Sequence, residues 1–252
     1  MHNIKYTRSA YGLDKINNIP FNVSKTLDAT KLGNSEQIIN NIRLWNPEPL
    51  KATFKQLQEI RLYYEFNNVD VDRYMINGKP QQVMLSAREL DINQLSSQAK
   101  TWINEHLIYT HGYGACMTPV NKITPEGLPE FYIKDIPPVS NIEFNITRPE
   151  IYFGEKILPT NKNYFIVNTK QKEFDYPTGN QNAYTSYQGK GGIQLDTTLK
   201  KAVYSLYFSD LNSMKIEFGS DLNPSLTMTL TEKSSPLATL IFSSESPIIP
   251  NS

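Results

Sequence analysis

The sequence predicts an α+β fold: a mixed sheet that includes a β-hairpin, several helices packed on it, and long loops. Three observations carry this expectation. Leu50, Phe54, Leu57, Ile60 and Tyr64 recur at spacings of three and four, the one-sided apolar pattern of a helix over about 49–61. Asn77-Gly78 then sits between two alternating apolar runs, and this dipeptide favours the tight turn of a hairpin. Helical spacing returns over about 92–106 and 198–208, so helices flank strands without a regular strand–helix alternation.

In chain order, residues 1–33 are polar with few periodic apolar positions. Ile38, Ile39, Ile42 and Trp45 give a brief helical spacing, which Asn46-Pro-Glu-Pro-Leu50 interrupts. Proline is tolerated in a first turn, so the same segment opens the next helix. Tyr63, Val69, Val71, Tyr74 and Ile76 predict a strand up to the turn at Asn77-Gly-Lys-Pro80. On the return, Gln82, Met84, Ser86 and Arg88 alternate with Val83, Leu85 and Ala87. Asp91 is placed to cap a helix over 92–106, with Leu95, Ala99, Trp102, Ile103 and His106 on its face. Residues 109–160 hold seven prolines and four glycines and predict ordered loop with short strands. Tyr164-Phe-Ile-Val-Asn168 predicts a buried strand, and Asp175-Tyr-Pro-Thr-Gly179 a turn. The helix over 198–208 carries Leu199, Ala202, Val203, Leu206 and Tyr207 on one side. From Ser225 the chain becomes rich in Ser and Thr and poor in aromatic residues.

Composition narrows the function classes. The 252 residues suffice for a sizeable core. With 25 basic and 25 acidic residues the net charge is zero, so bulk attraction to nucleic acid is not expected. A single cysteine, Cys116, excludes an internal disulfide. Three histidines and one cysteine, with no HExxH pattern, give no expectation of a zinc site or of a cofactor. No apolar run approaches the ~20 residues that span a bilayer, and the first residues lack the apolar segment of a signal peptide.

Several segments carry a resemblance. They include Asn3-Ile-Lys-Tyr-Thr-Arg-Ser-Ala-Tyr-Gly-Leu-Asp14, Asp70-Val-Asp-Arg-Tyr74 and Gln82-Val-Met-Leu-Ser-Ala-Arg-Glu-Leu-Asp91. Tyr109-Thr-His-Gly-Tyr-Gly114, Arg148-Pro-Glu-Ile-Tyr-Phe-Gly-Glu155, Glu173-Phe-Asp-Tyr-Pro177 and Tyr187-Gln-Gly-Lys-Gly-Gly192 follow in order. Together they closely resemble the UPF0182 family of uncharacterised bacterial integral membrane proteins. The resemblance implies that residues 1–224 form the first part of a large domain outside the cytoplasm, in a parent protein anchored by membrane helices. The tail over 225–252 does not resemble the family, which points to a truncated or frame-shifted product. The encoding DNA tests this: an intact frame with no family-like sequence in other frames removes the idea.

His111, between Thr110 and Gly112, suits a general base or a ligand; equally, such a histidine locks a turn and packs on Tyr109 and Tyr113. Asp70 and Asp72 share one face of a strand and suit calcium or an acid–base pair. Salt bridges to Arg43, Arg61 or Arg88 are the commoner fate. Glu150, with Glu89, Asp91, Glu155, Glu173 and Asp175, adds acids without a recognised spacing. Cys116 reads as a small core residue. Gly189-Lys-Gly-Gly192 offers either an anion-binding nest or a flexible turn. The rings of Tyr109, Tyr113, Phe131, Tyr132, Tyr152, Phe153, Tyr176, Tyr184 and Tyr187 either line a sugar or peptide groove or pack loops.

Two functional expectations result. The first, which rests on the resemblance and on the lack of a complete catalytic set, is a non-catalytic binding or assembly domain. It would face outward from the cell membrane and take other envelope or membrane proteins as partners. The alternative is an envelope hydrolase acting on cell-wall or peptide material, with His111, Asp70, Asp72 and Glu150 as the first residues to test.

Overall fold

The computed structural model describes residues 2–17, 19, 20, 26, 28–156, 164–179, 181–215 and 225–228. The chain divides into two compact units, residues 1–39 and 40–252. The first holds helices α1 (His2–Ala10), α2 (Ala29–Gly33) and α3 (Glu36–Ile39). None of their residues is buried, as the polar composition of this stretch predicts. Asp28 caps α2, its Oδ1 accepting from the Lys31 N–H at 2.8 Å.

The second unit opens with α4 (Pro47–Gln58), which starts where Asn46 and Pro47 predict: the Asn46 side chain accepts from the Glu48 N–H, and Pro47 occupies the first turn. The helix ends at Gln58, and Ile60 then takes a left-handed φ of 62°. Leu50 and Phe54 are buried, but Leu57 and Ile60 are exposed, and Gln58 is the third buried position.

Strands β1 (Tyr64–Phe66), β2 (Asp70–Ile76) and β3 (Lys79–Leu90) follow. The hairpin is as predicted: Ile76 pairs with Lys79 across Asn77-Gly78, and Asp70 pairs with Leu85. β3 is the spine of a six-stranded sheet, paired to β2 and β1 and, on its other edge, to β5 (Ala115–Pro119). Four two-residue strands lie nearby in the chain, β4 (Gly112–Tyr113) before β5 and β6 (Ile133–Lys134), β7 (Val139–Ser140) and β8 (Glu150–Ile151) after it. β6 and β7 extend the main sheet beyond β5, and β8 pairs with β4.

Both faces of β3 are buried, so its alternation does not separate core from solvent. Val83, Leu85 and Ala87 pack with Met117, Tyr132, Ile133, Phe144 and Ile151. On the other face Met84 joins Cys116, Leu50, Phe54 and Phe66 under α4. Arg88 lies on this second face at the C-terminal end of α4 and is fully buried.

Strands β9 (Tyr164–Val167), β10 (Glu173–Thr178), β11 (Gln181–Thr185), β12 (Ile193–Gln194) and β13 (Ser225–Met228) form two smaller sheets, β10–β11 and β12–β13–β9. The turn predicted at 175–179 is displaced. Asp175, Tyr176 and Pro177 continue β10 through a register shift between Phe174 and Pro177, and Thr178 pairs with Gln181 across the reversal. Proline is tolerated there because a two-stranded ribbon has an unpaired edge on each strand.

The continuous helix predicted over 92–106 does not form. A 3-10 turn spans Ile92–Gln94, Leu95 is extended, and a π-helical turn spans Asn104–Ile108. Short polar side chains take over the backbone here. Asp91 accepts from the Asn93 N–H at 3.0 Å, and Asn104 Nδ2 donates to the Ala99 carbonyl at 2.8 Å. Leu90, Ile92 and Leu95 pack together against Tyr63 and Tyr109.

α5 (Thr198–Tyr207) forms as predicted, but its apolar stripe is outward. Leu199 and Leu206 are each 74% exposed, and Val203 and Tyr207 are also exposed. The helix is held instead by Tyr204 and Phe208 against Tyr164, Ile166 and Leu195. Of the tail over 225–252, only β13 lies within the described residues. Among the described residues no helix is long and apolar enough to cross a membrane.

Candidate functional site

His111 follows the π-helical turn and immediately precedes β4. Gly112 is needed next to it, because a Cβ there would fall 2.2 Å from the Arg88 carbonyl oxygen of β3. β4 therefore lies close against the main sheet and delivers the His111 side chain inward, where it is 1% exposed. His106, on the preceding turn, is separate. It stacks on Trp102 with centroids 5.0 Å apart and contacts the Trp102 carbonyl through Nδ1 at 3.1 Å.

The carboxylate partners of His111 come from β10. Nδ1 lies 2.9 Å from Thr110 Oγ1 and 3.7 Å from Glu173 Oε2, while Nε2 lies 3.4 Å from Asp175 Oδ1. Thr110 donates its hydroxyl to Glu173 at 2.7 Å, so toward His111 it can only accept. Both ring nitrogens are then donors, which assigns a doubly protonated, cationic imidazole. Burial alone disfavours that charge. The hydrogen bonds and negative charges of Asp175 and Glu173 outweigh it and raise the His111 pKa above its ordinary 6.5.

Glu173 is satisfied to an unusual degree. Its Oε2 accepts from Thr110 and from Tyr152 Oη at 2.8 Å; its Oε1 accepts from the backbone N–H groups of Asn168 at 3.2 Å and Tyr187 at 3.1 Å. Burial pushes its pKa up, but His111, Thr110 and Tyr152 more than offset this, and the net shift is downward. The Tyr152 ring lies 4.7 Å from His111 and 4.8 Å from Tyr187. One buried ion pair thus joins the turn at Thr110, the β8–β9 segment, β10 and the Tyr187 loop.

The other residues singled out from the sequence do not join it. Asp72 is exposed on β2 and accepts from the Arg73 N–H. Asp70 pairs across to Leu85, and its charge acts on Glu155. The expected salt bridge to Arg88 does not form: Arg88 donates to the Gln58 carbonyl at 2.8 Å, the Tyr113 carbonyl at 2.8 Å and, more weakly, Gln58 Oε1 and Cys116 Sγ. Its guanidinium also lies 5.3 Å from the Phe66 ring centre. Cys116 is a core residue as predicted; burial pushes its thiol up to about 11, and it meets Arg88 and Gln58, not His111. A second, partly buried cluster holds Lys156 between Glu65 and Asp91, with Glu89 accepting from the backbone N–H groups of Glu155 and Lys156.

Glu150 is elsewhere again. It sits on β8 opposite Tyr113 and lines a cavity of about 320 Å³ with Thr147, Arg148, Tyr152, Phe153 and residues Ser186 to Gly191. Tyr152 and Tyr187 are shared between this cavity and the Glu173 network. The cavity contains Gly189-Lys-Gly191, and the segment is a held turn: Tyr187 Oη donates to the Gly191 carbonyl at 3.0 Å. Glu173 was among the acids noted in the sequence, but its partner Thr110 stands 63 residues away, and no local spacing connects them. Among the described residues, no three His, Cys, Asp or Glu are grouped to hold a metal ion.

These features define a class: a loop-rich α+β domain whose signature histidine is locked into its own fold beside an open cavity lined by aromatic and charged side chains. The chain belongs to the uncharacterised protein family UPF0182, whose model matches residues 1–225. It is 52% identical over 221 residues to a UPF0182 protein of Trichlorobacter lovleyi, which covers 88% of this chain and 24% of that protein. It is 47% identical over 221 residues to one of Desulforamulus reducens, covering 88% of this chain and 23% of the relative. A relative from a Sulfurovum species is 50% identical over 212 residues, covering 84% of this chain and 22% of the relative. The chain thus spans about a quarter of the length of the curated relatives it matches. No solved structure matches it. Nothing in these relatives supports the hydrolase alternative.

Proposed function

We propose that this chain is a non-catalytic binding or assembly domain of a UPF0182 membrane protein, on the side away from the cytoplasm, with other envelope or membrane proteins among its partners. One observation carries the reading. His111 and Glu173 are occupied in structural bonds, whereas the open cavity beside them is lined by rings and mixed charges. His111 is buried with both nitrogens engaged, and each Glu173 oxygen accepts two hydrogen bonds. A general base must reach a substrate proton, and neither group has an open approach. Such a constellation suits holding a shape for recognition.

The test uses a full-length family member carrying Asp72→Cys at the equivalent exposed position. A membrane-impermeant maleimide added to intact cells labels this cysteine if the domain faces outward. Labelling only after lysis overturns the placement. In separate variants of that family member without the added cysteine, Asp70→Asn and Asp72→Asn leave partner association unchanged. Loss of a measurable turnover with either variant overturns the non-catalytic reading.

A further inference from the structure

We propose that the cavity between the β8 segment and the Tyr187–Gly191 turn binds an acidic monosaccharide of the uronate type. Its carboxylate would be held by Arg148 and Lys190 and its ring by Phe153. This rests on the binding-domain reading above and names the ligand class for it.

Size comes first. A cavity of about 320 Å³ lies at the lower end of the roughly 300–1,000 Å³ found for small-molecule sites, so one sugar ring fits and a long chain does not. Charge comes second. Two cations, Arg148 and Lys190, and one carboxylate, Glu150, are among the lining residues, a net positive balance. Arg148 uses one N–H on the Gln188 carbonyl at 3.1 Å, which fixes the guanidinium on the rim. Its remaining donors keep the planar fork that matches a carboxylate.

The rest of the lining also offers partners for hydroxyl groups. Glu150 accepts, while Ser186 and Gln188 both donate and accept. Phe153 is half-buried and offers an apolar ring against which the C–H face of a sugar can pack.

The walls are also built before any ligand arrives. A Cβ on Gly189 would fall 2.3 Å from Tyr187 Oη, so the turn wraps that ring closely. The Tyr187 N–H and the Tyr152 hydroxyl both end on Glu173, which anchors one side of the cavity to the buried ion pair. A site fixed in this way loses little freedom on binding.

The experiment is an amide NMR titration of the full chain with glucuronate and galacturonate, beside glucose, acetate, inorganic phosphate and an N-acetylated dipeptide. The expected result is saturable shifts confined to residues 147–153 and 186–191 with a uronate, and at least tenfold weaker binding of glucose, acetate and phosphate. Lys190→Gln and Phe153→Leu each weaken uronate binding about tenfold with no change in thermal unfolding. Arg148→Gln weakens it further, and the first two variants keep the test valid if that one misfolds. Equal affinity for glucose overturns the carboxylate contact; equal affinity for acetate or phosphate overturns the sugar. Saturation by the dipeptide alone overturns the sugar assignment and leaves the binding reading standing. A cavity silent to every probe overturns the assignment, and the binding reading is then decided by its own labelling and variant test.

Discussion

His111 Nδ1 lies 3.7 Å from Glu173 Oε2, and neither side chain exposes more than 1% of its surface. A charge pair this deep persists only because hydrogen bonds satisfy both partners. Its consequences for stability have opposite signs on the two sides of neutral pH. The His111 pKa is raised, so its contribution is complete below the ordinary 6.5 and is lost as pH climbs through the higher folded value. The Glu173 pKa is lowered, so its contribution is complete above the ordinary 4.5 and is lost as pH falls through the lower folded value. Thermal unfolding across pH is therefore expected to show the pair's full contribution between pH 4.5 and 6.5. His111→Asn should be most destabilising inside that window and progressively less so above it.

Glu173→Gln is expected to cost about 3 kcal/mol or more in urea unfolding, because an amide cannot accept from four donors and His111 keeps only Asp175 as a negative partner. The near-ultraviolet circular dichroism of the tyrosines around it should change as well, since Tyr152 and Tyr187 lose a shared anchor.

Arg88 is fully buried and ends on the Gln58 carbonyl of the last turn of α4, where helix carbonyls lack partners within the helix. Arg88→Ala should cost about 3–5 kcal/mol, since it orphans two buried carbonyls and opens a cavity. Arg88→Lys recovers only part of this, because one ammonium cannot reproduce the fork to Gln58 and Tyr113. Equilibrium unfolding of both variants checks the order.

The stripe of Leu199, Val203, Leu206 and Tyr207 on α5 is exposed, and an apolar patch of this kind drives self-association. Leu199→Lys with Leu206→Lys should lower the apparent mass in sedimentation at high protein concentration. Stability should change by no more than about 0.5 kcal/mol, the usual range for surface positions.

Local signals were legible where the chain makes its own structure. Asn77-Gly78 set the hairpin and its register, and Asn46-Pro47 set the start of α4. The break between Ile92 and Asn104 was not legible, because apolar spacing there is helical while Asp91 and Asn104 claim the backbone through their side chains. Nothing local to the alternating strand marks Arg88 as buried; α4 covers that face, and only the packing reveals it. His111 was legible as a candidate beside Gly112, but the ring it packs on is Tyr152, while Tyr109 and Tyr113 pack on Phe174 and Tyr176. The carboxylate partner of His111 was not legible, since Glu173 arrives from another sheet. Glu150 and the Gly189 turn, weighed separately in the sequence, meet in one cavity.

The central claim is that His111 is a buried structural cation, and the direct measurement is an NMR titration of its imidazole in the folded protein. The account predicts protons on both ring nitrogens at pH 6.5 and a midpoint above 6.5. Replacing Glu173 by Gln should move that midpoint downward. A neutral imidazole at pH 6.5, with a midpoint below the ordinary value and no response to Glu173→Gln, would contradict it.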